Sequence, residues 1–212
     1  MSQTCNLVVA GVGGQGVLSM ARLLGRAATQ DGLGVRVGQI YGLSQRGGSV
    51  EATVRIGIVG TAFISQAEAD VVLGLEPLEA ERILPRMSMA TTVLVNRTPI
   101  VPTSLTLDRA GYPDLDSIVE AMAAVAGIVK LIDGNVLAVQ AGDARLLNVV
   151  MLGVLDGFEL LPISSDVLAS VVENSGSGPD TEARSRAFTL GQALGADALA
   201  EGSEIHHEPV HR

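Results

Sequence analysis

Five residues near the start of the chain have the types and spacing to receive an anion: Gly11, Gly13, Gly14, Gln15 and Gly16, in the run GVGGQG. Gly11, Gly13 and Gly16 fit G-x-G-x-x-G, and residues without a Cβ admit positive φ and let the backbone approach a ligand closely. The motif has meaning only between a strand and a helix. Leu7-Val8-Val9-Ala10 before it is an apolar run suited to a strand covered on both faces. After it, Val17, Ala21, Leu24 and Ala28 share one stripe of a helix, and the small residues Ala21, Gly25 and Ala28 allow close packing on a sheet. Such a helix start offers free N–H groups and the positive end of a dipole to an anion, usually a phosphate. Arg22 and Arg26 lie one and two turns in, with no acid before Asp31. The same spacing also builds a tight turn that binds nothing. An NAD site calls for Asp or Glu about 20 residues on, at the end of the second strand. That strand, Val35 to Ile40, runs out in Gly38-Gln39-Ile40-Tyr41, and nothing acidic lies between Asp31 and Glu51. The expectation is a phosphate-friendly turn without the ribose clamp of an NAD enzyme.

A second polar cluster follows at Tyr41 to Gly48, carrying Tyr41, Ser44, Gln45, Arg46, Gly47 and Gly48. These are candidates for contact with a substrate or with another subunit. Arg46 is the group suited to bidentate recognition of a carboxylate or phosphate, although a loop arginine also serves to fix its own backbone.

Composition narrows the classes. A net charge of −9 and a pI near 4.7 argue against a nucleic-acid partner. Aromatic residues are 2% of the chain, with no Trp, so the core is aliphatic and a base-stacking platform is not expected. Cys5 is the only cysteine, which rules out an intrachain disulfide and an iron–sulfur cluster held by this chain's own thiolates. The histidines, His206, His207 and His211, all fall in the last seven residues. The body therefore offers no zinc site and no Ser-His or Cys-His pair, and no catalytic residue is assigned. With no signal-peptide pattern and no apolar run near 18 residues, the expected place is the cytoplasm, without membrane contact.

The positioning elements come in order. Ser49 to Ile58 alternates apolar and polar residues, as in a strand with one wet face, and is a candidate antiparallel strand. Asp70 to Leu75, Thr91 to Asn96 and Ile128 to Ile132 read as short buried strands. Glu76-Pro77 starts a helix through Arg86, with Glu76 and Glu79 in its first turn, where the dipole favours acids. Pro99 to Pro113 winds over the surface, and Asp114 or Asp116 is placed to cap a helix to about Ala126. Helices then dominate: Ala144 to Phe158, Ser164 or Ser165 to Asn174, and Thr181 to Glu201. The pattern predicts a three-layer α/β/α fold with a parallel or mixed sheet and a helical C-terminal part. Residues 1–201 read as one domain, and Gly202 to Arg212 as a frayed tail. Gly142-Asp143-Ala144 and Asn174 imitate the spacing of a thiamine-diphosphate magnesium motif, but the third glycine and second asparagine are missing. Coincidence is the expected explanation.

Three segments together resemble a family: Gly11 to Ala28, Gly38 to Gly57 with QRGGSV at Gln45 to Val50, and Ala69 to Arg82. They are similar to the gamma subunit or gamma domain of 2-oxoacid:ferredoxin oxidoreductases, and most of all to the small beta-subunit branch of the indolepyruvate enzymes. Asn148 to Gly153 and Arg186 to Gly191 resemble the later helices of that family, so the likeness spans nearly the whole chain. Two departures bear on the substrate rather than the family: Tyr41 in place of a His found in many indolepyruvate members, and a looser Asn174 to Arg186 connection. The resemblance implies oxidative decarboxylation of a 2-oxoacid such as indolepyruvate or another aryl pyruvate. Thiamine diphosphate, Mg and 4Fe-4S clusters would sit on a larger partner subunit, ferredoxin would take the electrons, and coenzyme A would take the acyl group as co-substrate. This chain would bind no cofactor alone and would be inactive in isolation. Two other readings remain at this point: a stand-alone NAD(P)-binding dehydrogenase, and a noncatalytic assembly subunit in which the glycine turn is only structural.

Overall fold

The computed structural model describes residues 4–41, 48–57, 60–100, 111–176 and 179–201. Six strands form one mixed sheet: β1 (Cys5–Val12), β2 (Val35–Tyr41), β3 (Ser49–Ile56), β4 (Val71–Gly74), β5 (Thr92–Asn96) and β6 (Ile128–Ile132), in the order β2-β3-β1-β4-β5-β6. β3 runs antiparallel to both of its neighbours, whereas β1, β4, β5 and β6 are mutually parallel. The α/β class, the mixed sheet and the antiparallel strand at Ser49 all agree with the sequence reading.

Alternation along the strands divides the core in two. Leu7 and Val9 of β1, Val71 and Leu73 of β4 and Leu94 of β5 face one layer. Val8, Ala10, Val72, Val93 and Val95 face the other. The first layer holds α1 (Val17–Gln30), α4 (Gly134–Ala141), α5 (Leu147–Gly157), α6 (Ser165–Glu173) and α7 (Pro179–Ala200); the second holds α2 (Pro77–Glu81) and α3 (Leu115–Ala123). Parallel strands covered on both faces read as near-continuous apolar runs, and β4 and β5 are buried along their length, with Thr92 and Asn96 as the polar ends of β5.

Two predicted helices are shorter than expected. The one from Glu76 to Arg86 stops at Glu81 and resumes as a 3-10 turn at Leu84–Arg86. Pro85 lacks the N–H that would continue the α-helix by donating to the Glu81 carbonyl. Ala144–Leu146 is likewise a 3-10 turn ahead of α5.

α5 and α7 meet through glycines on both sides. A Cβ at Gly153 would stand 2.2 Å from the Phe188 carbonyl oxygen, and one at Gly191 would stand 2.1 Å from that of Val150. Gly157 and Gly195 are as tightly placed, at 2.2 Å from Gln192 O and 2.4 Å from Val154 O. Only residues without a side chain let two helix backbones approach this closely, and the paired G-x-x-x-G spacings at 153/157 and 191/195 are the sequence signal for it.

Candidate functional site

The carboxyl ends of β1, β4 and β5 converge on the glycine turn. Leu75 is the hub. Its N–H donates to Ala10 C=O at 2.8 Å, and its own carbonyl accepts from Gln15 Nε2 at 2.8 Å and from Asn96 Nδ2 at 3.3 Å. Gln15 Oε1 in turn accepts from Val12 N–H at 2.7 Å. Both arms of the Gln15 amide are therefore engaged in bracing the turn against β4.

Each glycine of the motif answers to a different constraint. Gly11 makes room for that brace, since a Cβ there would stand 2.8 Å from Gln15 Oε1 and 3.1 Å from Leu75 Cβ. The Gly13 N–H donates to Gly48 C=O at 2.9 Å. The end of the second polar cluster is thus tied directly to the first motif. Gly14 has φ +108°, and a Cβ there would meet nothing within 4 Å, so it faces open space. Gly16 is the N-cap of α1 at φ +87°, and its face is covered by Asn148, whose Nδ2 would lie 2.6 Å from a Cβ. Positive φ at 14 and 16 turns the chain from β1 into α1. The first intrahelical bond is Met20 N–H to Gly16 C=O at 2.9 Å, which leaves the N–H groups of Val17, Leu18 and Ser19 without an intrahelical acceptor. No acid lies in the first turn. The arrangement favours an anion.

Beside the turn lies a cleft of about 200 Å³ walled by Gly14, Gln15, Asn96, Ile100, Asn135 and Arg145. That is below the size of a whole-ligand pocket and suits part of a longer molecule. Asn96 is 1% exposed, and its Oδ1 accepts no hydrogen bond, as is also true of Asn135 Oδ1. Arg145 is exposed and pairs with Asp143 through Nε at 2.8 Å. The Arg145 guanidinium and backbone N–H hold the Asp143 carboxyl below the usual carboxylate range. Asp143 therefore serves Arg145, and Asn174 Nδ2 turns back to Ser170 C=O at 2.8 Å. The apparent thiamine-motif residues are thus both spent on local structure. Among the described residues no group of three or more His, Cys, Asp or Glu gathers as a metal site.

Glu76 is more deeply placed than a first-turn acid. It is 0% exposed and is the N-cap of α2, accepting from Glu79 N–H at 2.9 Å, Ile100 N–H at 3.1 Å and Tyr112 O–H at 2.5 Å. Burial and the Glu76 carboxylate raise the Tyr112 pKa, so the phenol stays a donor. Glu76 thereby fixes Ile100, one wall of the cleft. Sequence reasoning missed Asn96, Asn135, Asn148 and this role of Glu76. The one available signal was an Asn ending an otherwise apolar strand at Leu94-Val95-Asn96. Of the second cluster, Gly48 is placed by its bond to Gly13 and Tyr41 ends β2, while Ser44, Gln45, Arg46 and Gly47 lie outside the described residues.

The family model for pyruvate ferredoxin/flavodoxin oxidoreductase matches residues 6–193. The chain belongs to that family. It is 37% identical over 193 residues to the indolepyruvate oxidoreductase subunit IorB of Methanothermobacter thermautotrophicus, covering 91% of this chain and 98% of the relative. Among solved structures it is similar to pyruvate oxidoreductase subunit PORC of Thermotoga maritima, with a TM-score of 0.70, 21% identity and 90% and 96% of the two chains covered. It also matches 32% of a longer chain, a 2-oxoglutarate:ferredoxin oxidoreductase from Magnetococcus marinus, with a TM-score of 0.68, 21% identity and 93% of this chain covered. The family's fold thus occurs both as a separate subunit and within a larger polypeptide.

The family fold also bears on the dehydrogenase reading. In a dinucleotide-binding fold the second strand lies next to the first. Here antiparallel β3 intervenes, so the end of β2 is displaced from β1 by two strand spacings, roughly 10 Å. The nearest acid on β3, Glu51, pairs with Arg86.

Proposed function

We propose that this chain is the small subunit of a thiamine-diphosphate-dependent 2-oxoacid:ferredoxin oxidoreductase acting on indolepyruvate or another aryl pyruvate and releasing an acyl-coenzyme A. The 37% identity to the indolepyruvate subunit over 98% of that relative's length carries this reading. In it, thiamine diphosphate with Mg, and the 4Fe-4S clusters, belong to a larger partner, where they supply decarboxylation and electron transfer to ferredoxin. This chain contributes binding: the open start of α1 at Gly14 receives an anionic group, the pyrophosphate of coenzyme A. The positive φ at Gly14 and Gly16 and the absence of a first-turn acid support that role. Arg46, two residues before the Gly48 carbonyl that holds the turn, reaches a carboxylate or phosphate of the substrates.

The test is kinetic, on the assembled enzyme. Gly14→Asp and Gly14→Asn impose the same backbone strain but differ in charge. The Asp variant should raise the apparent KM for coenzyme A about tenfold over the Asn variant, a difference of about 1.4 kcal/mol. Equal KM values would remove the anion site, and an Arg46→Lys enzyme with normal kinetics would remove the role of Arg46.

A further inference from the structure

On the far side of α1 from the cleft, an open groove of about 670 Å³ runs along the border of the sheet, lined among others by Arg22, Gly25, Arg26, Thr29, Val35 and Val37. Val35 and Val37 give its floor an apolar strip, and Gln30 and Gln39 also line it. A Cβ on Gly25 would come within 3.0 Å of Val37 Cγ2, so the glycine keeps the helix low and leaves Val37 37% exposed. β2 is the edge strand, and among the described residues no strand lies beside its outer side. Its register with β3 is unbroken over seven residues, without bulge, Pro or acid, and its one charged residue, Arg36, donates through Nη1 to the Val35 carbonyl at 3.0 Å. A long regular edge of that kind is a template for another strand unless something covers it.

The charges choose the occupant. Arg22 and Arg26 are exposed at the groove and form no ion pair among the described residues, on a chain whose net charge is −9. A second copy paired edge to edge would bring the same arginines together from both sides, and like charges so placed repel. An acidic occupant is favoured instead.

We infer that the β2 edge and this groove dock an extended, acid-bearing segment of the larger partner subunit. The segment adds a strand beside β2, sets an apolar side chain over Gly25 and Val37, and presents carboxylates to Arg22 and Arg26. The inference rests on the reading of the chain as one subunit of a larger enzyme.

The experiment is co-expression with the thiamine-diphosphate-binding, iron–sulfur subunit of the same host. Complex affinity is measured for the wild type and for Arg22→Glu/Arg26→Glu, and amide hydrogen exchange is measured for the wild type alone and assembled. Loss of affinity by about tenfold or more in the double variant supports the inference, as does new protection of Val35–Tyr41 on assembly. The exchange arm needs no variant and stands if the double variant misfolds. A wild-type complex with no protection of β2 overturns it while leaving the subunit reading intact, as does unchanged affinity in a folded variant. Protection of β2 that depends on the concentration of this chain alone assigns the edge to a second copy and also overturns it. Failure of the wild type to assemble would remove the subunit reading itself.

Discussion

Cys5 begins β1 at 3% exposure, and its thiol is pushed up to about 12 by burial, with the Asp70 carboxylate adding to the effect. A protonated buried thiol is neither a nucleophile nor a ligand. In the unfolded chain the thiol titrates near 9.0, so the folded state holds the proton more tightly. Stability is fully present below pH 9 and falls as pH rises toward 12, by at most about 1.4 kcal/mol per pH unit. Tyr112, also raised, adds in the same direction. Thermal melts at rising pH should fall more steeply for the wild type than for Cys5→Ala, and parallel curves would contradict this account. Also at the residue scale, the glycine motif was legible from spacing, but its division of labour was not. That Gly11 accommodates Gln15 while Gly14 faces open space depends on where Leu75 arrives, 60 residues beyond Gln15.

At the scale of elements, the pairing of α5 with α7 sets four glycines against facing backbone. Replacing Gly191 by Ala has two opposed effects. Helix propensity favours Ala by about 1 kcal/mol. Against it, the new methyl would sit 2.1 Å from the Val150 carbonyl oxygen, a backbone atom that yields only if the helices separate. Overpacking of that kind costs about 1–3 kcal/mol or more, so Gly191→Ala should be net destabilising in urea unfolding. Gly111→Ala is the control: nothing lies within 4 Å of a Cβ there, and its backbone is not left-handed. A variant at 191 as stable as the wild type would mean that the two helices do not meet this closely. Helix existence followed from apolar period along the chain. Helix ends did not, because the break at Pro85 and the 3-10 start of α5 depend on local backbone bonds that compete with the period.

At the scale of the whole molecule, the order β2-β3-β1-β4-β5-β6 separates this fold from the dinucleotide-binding fold, where the second strand lies beside the first. The isolated chain should show no saturable binding of NAD(P) in calorimetry at millimolar ligand. Clear binding would restore the dehydrogenase reading and place the glycine turn in a different class. The groove beside β2 is also a property of the whole molecule, since a groove between a helix and a sheet edge exists only once the sheet has an edge.

The sequence alone determined the α/β class, the strand–glycine–helix unit, the lack of cluster cysteines and the family, because apolar period, glycine placement and composition are properties of neighbours along the chain. The tertiary structure decided which strand stands beside β1, where the buried amides of Asn96 and Asn135 face, how Glu76 fixes Ile100, and which edge is left open. Those features join residues from tens of positions apart. Strand pairing and helix contact, rather than local preference, bring them together, so no window along the chain contains them.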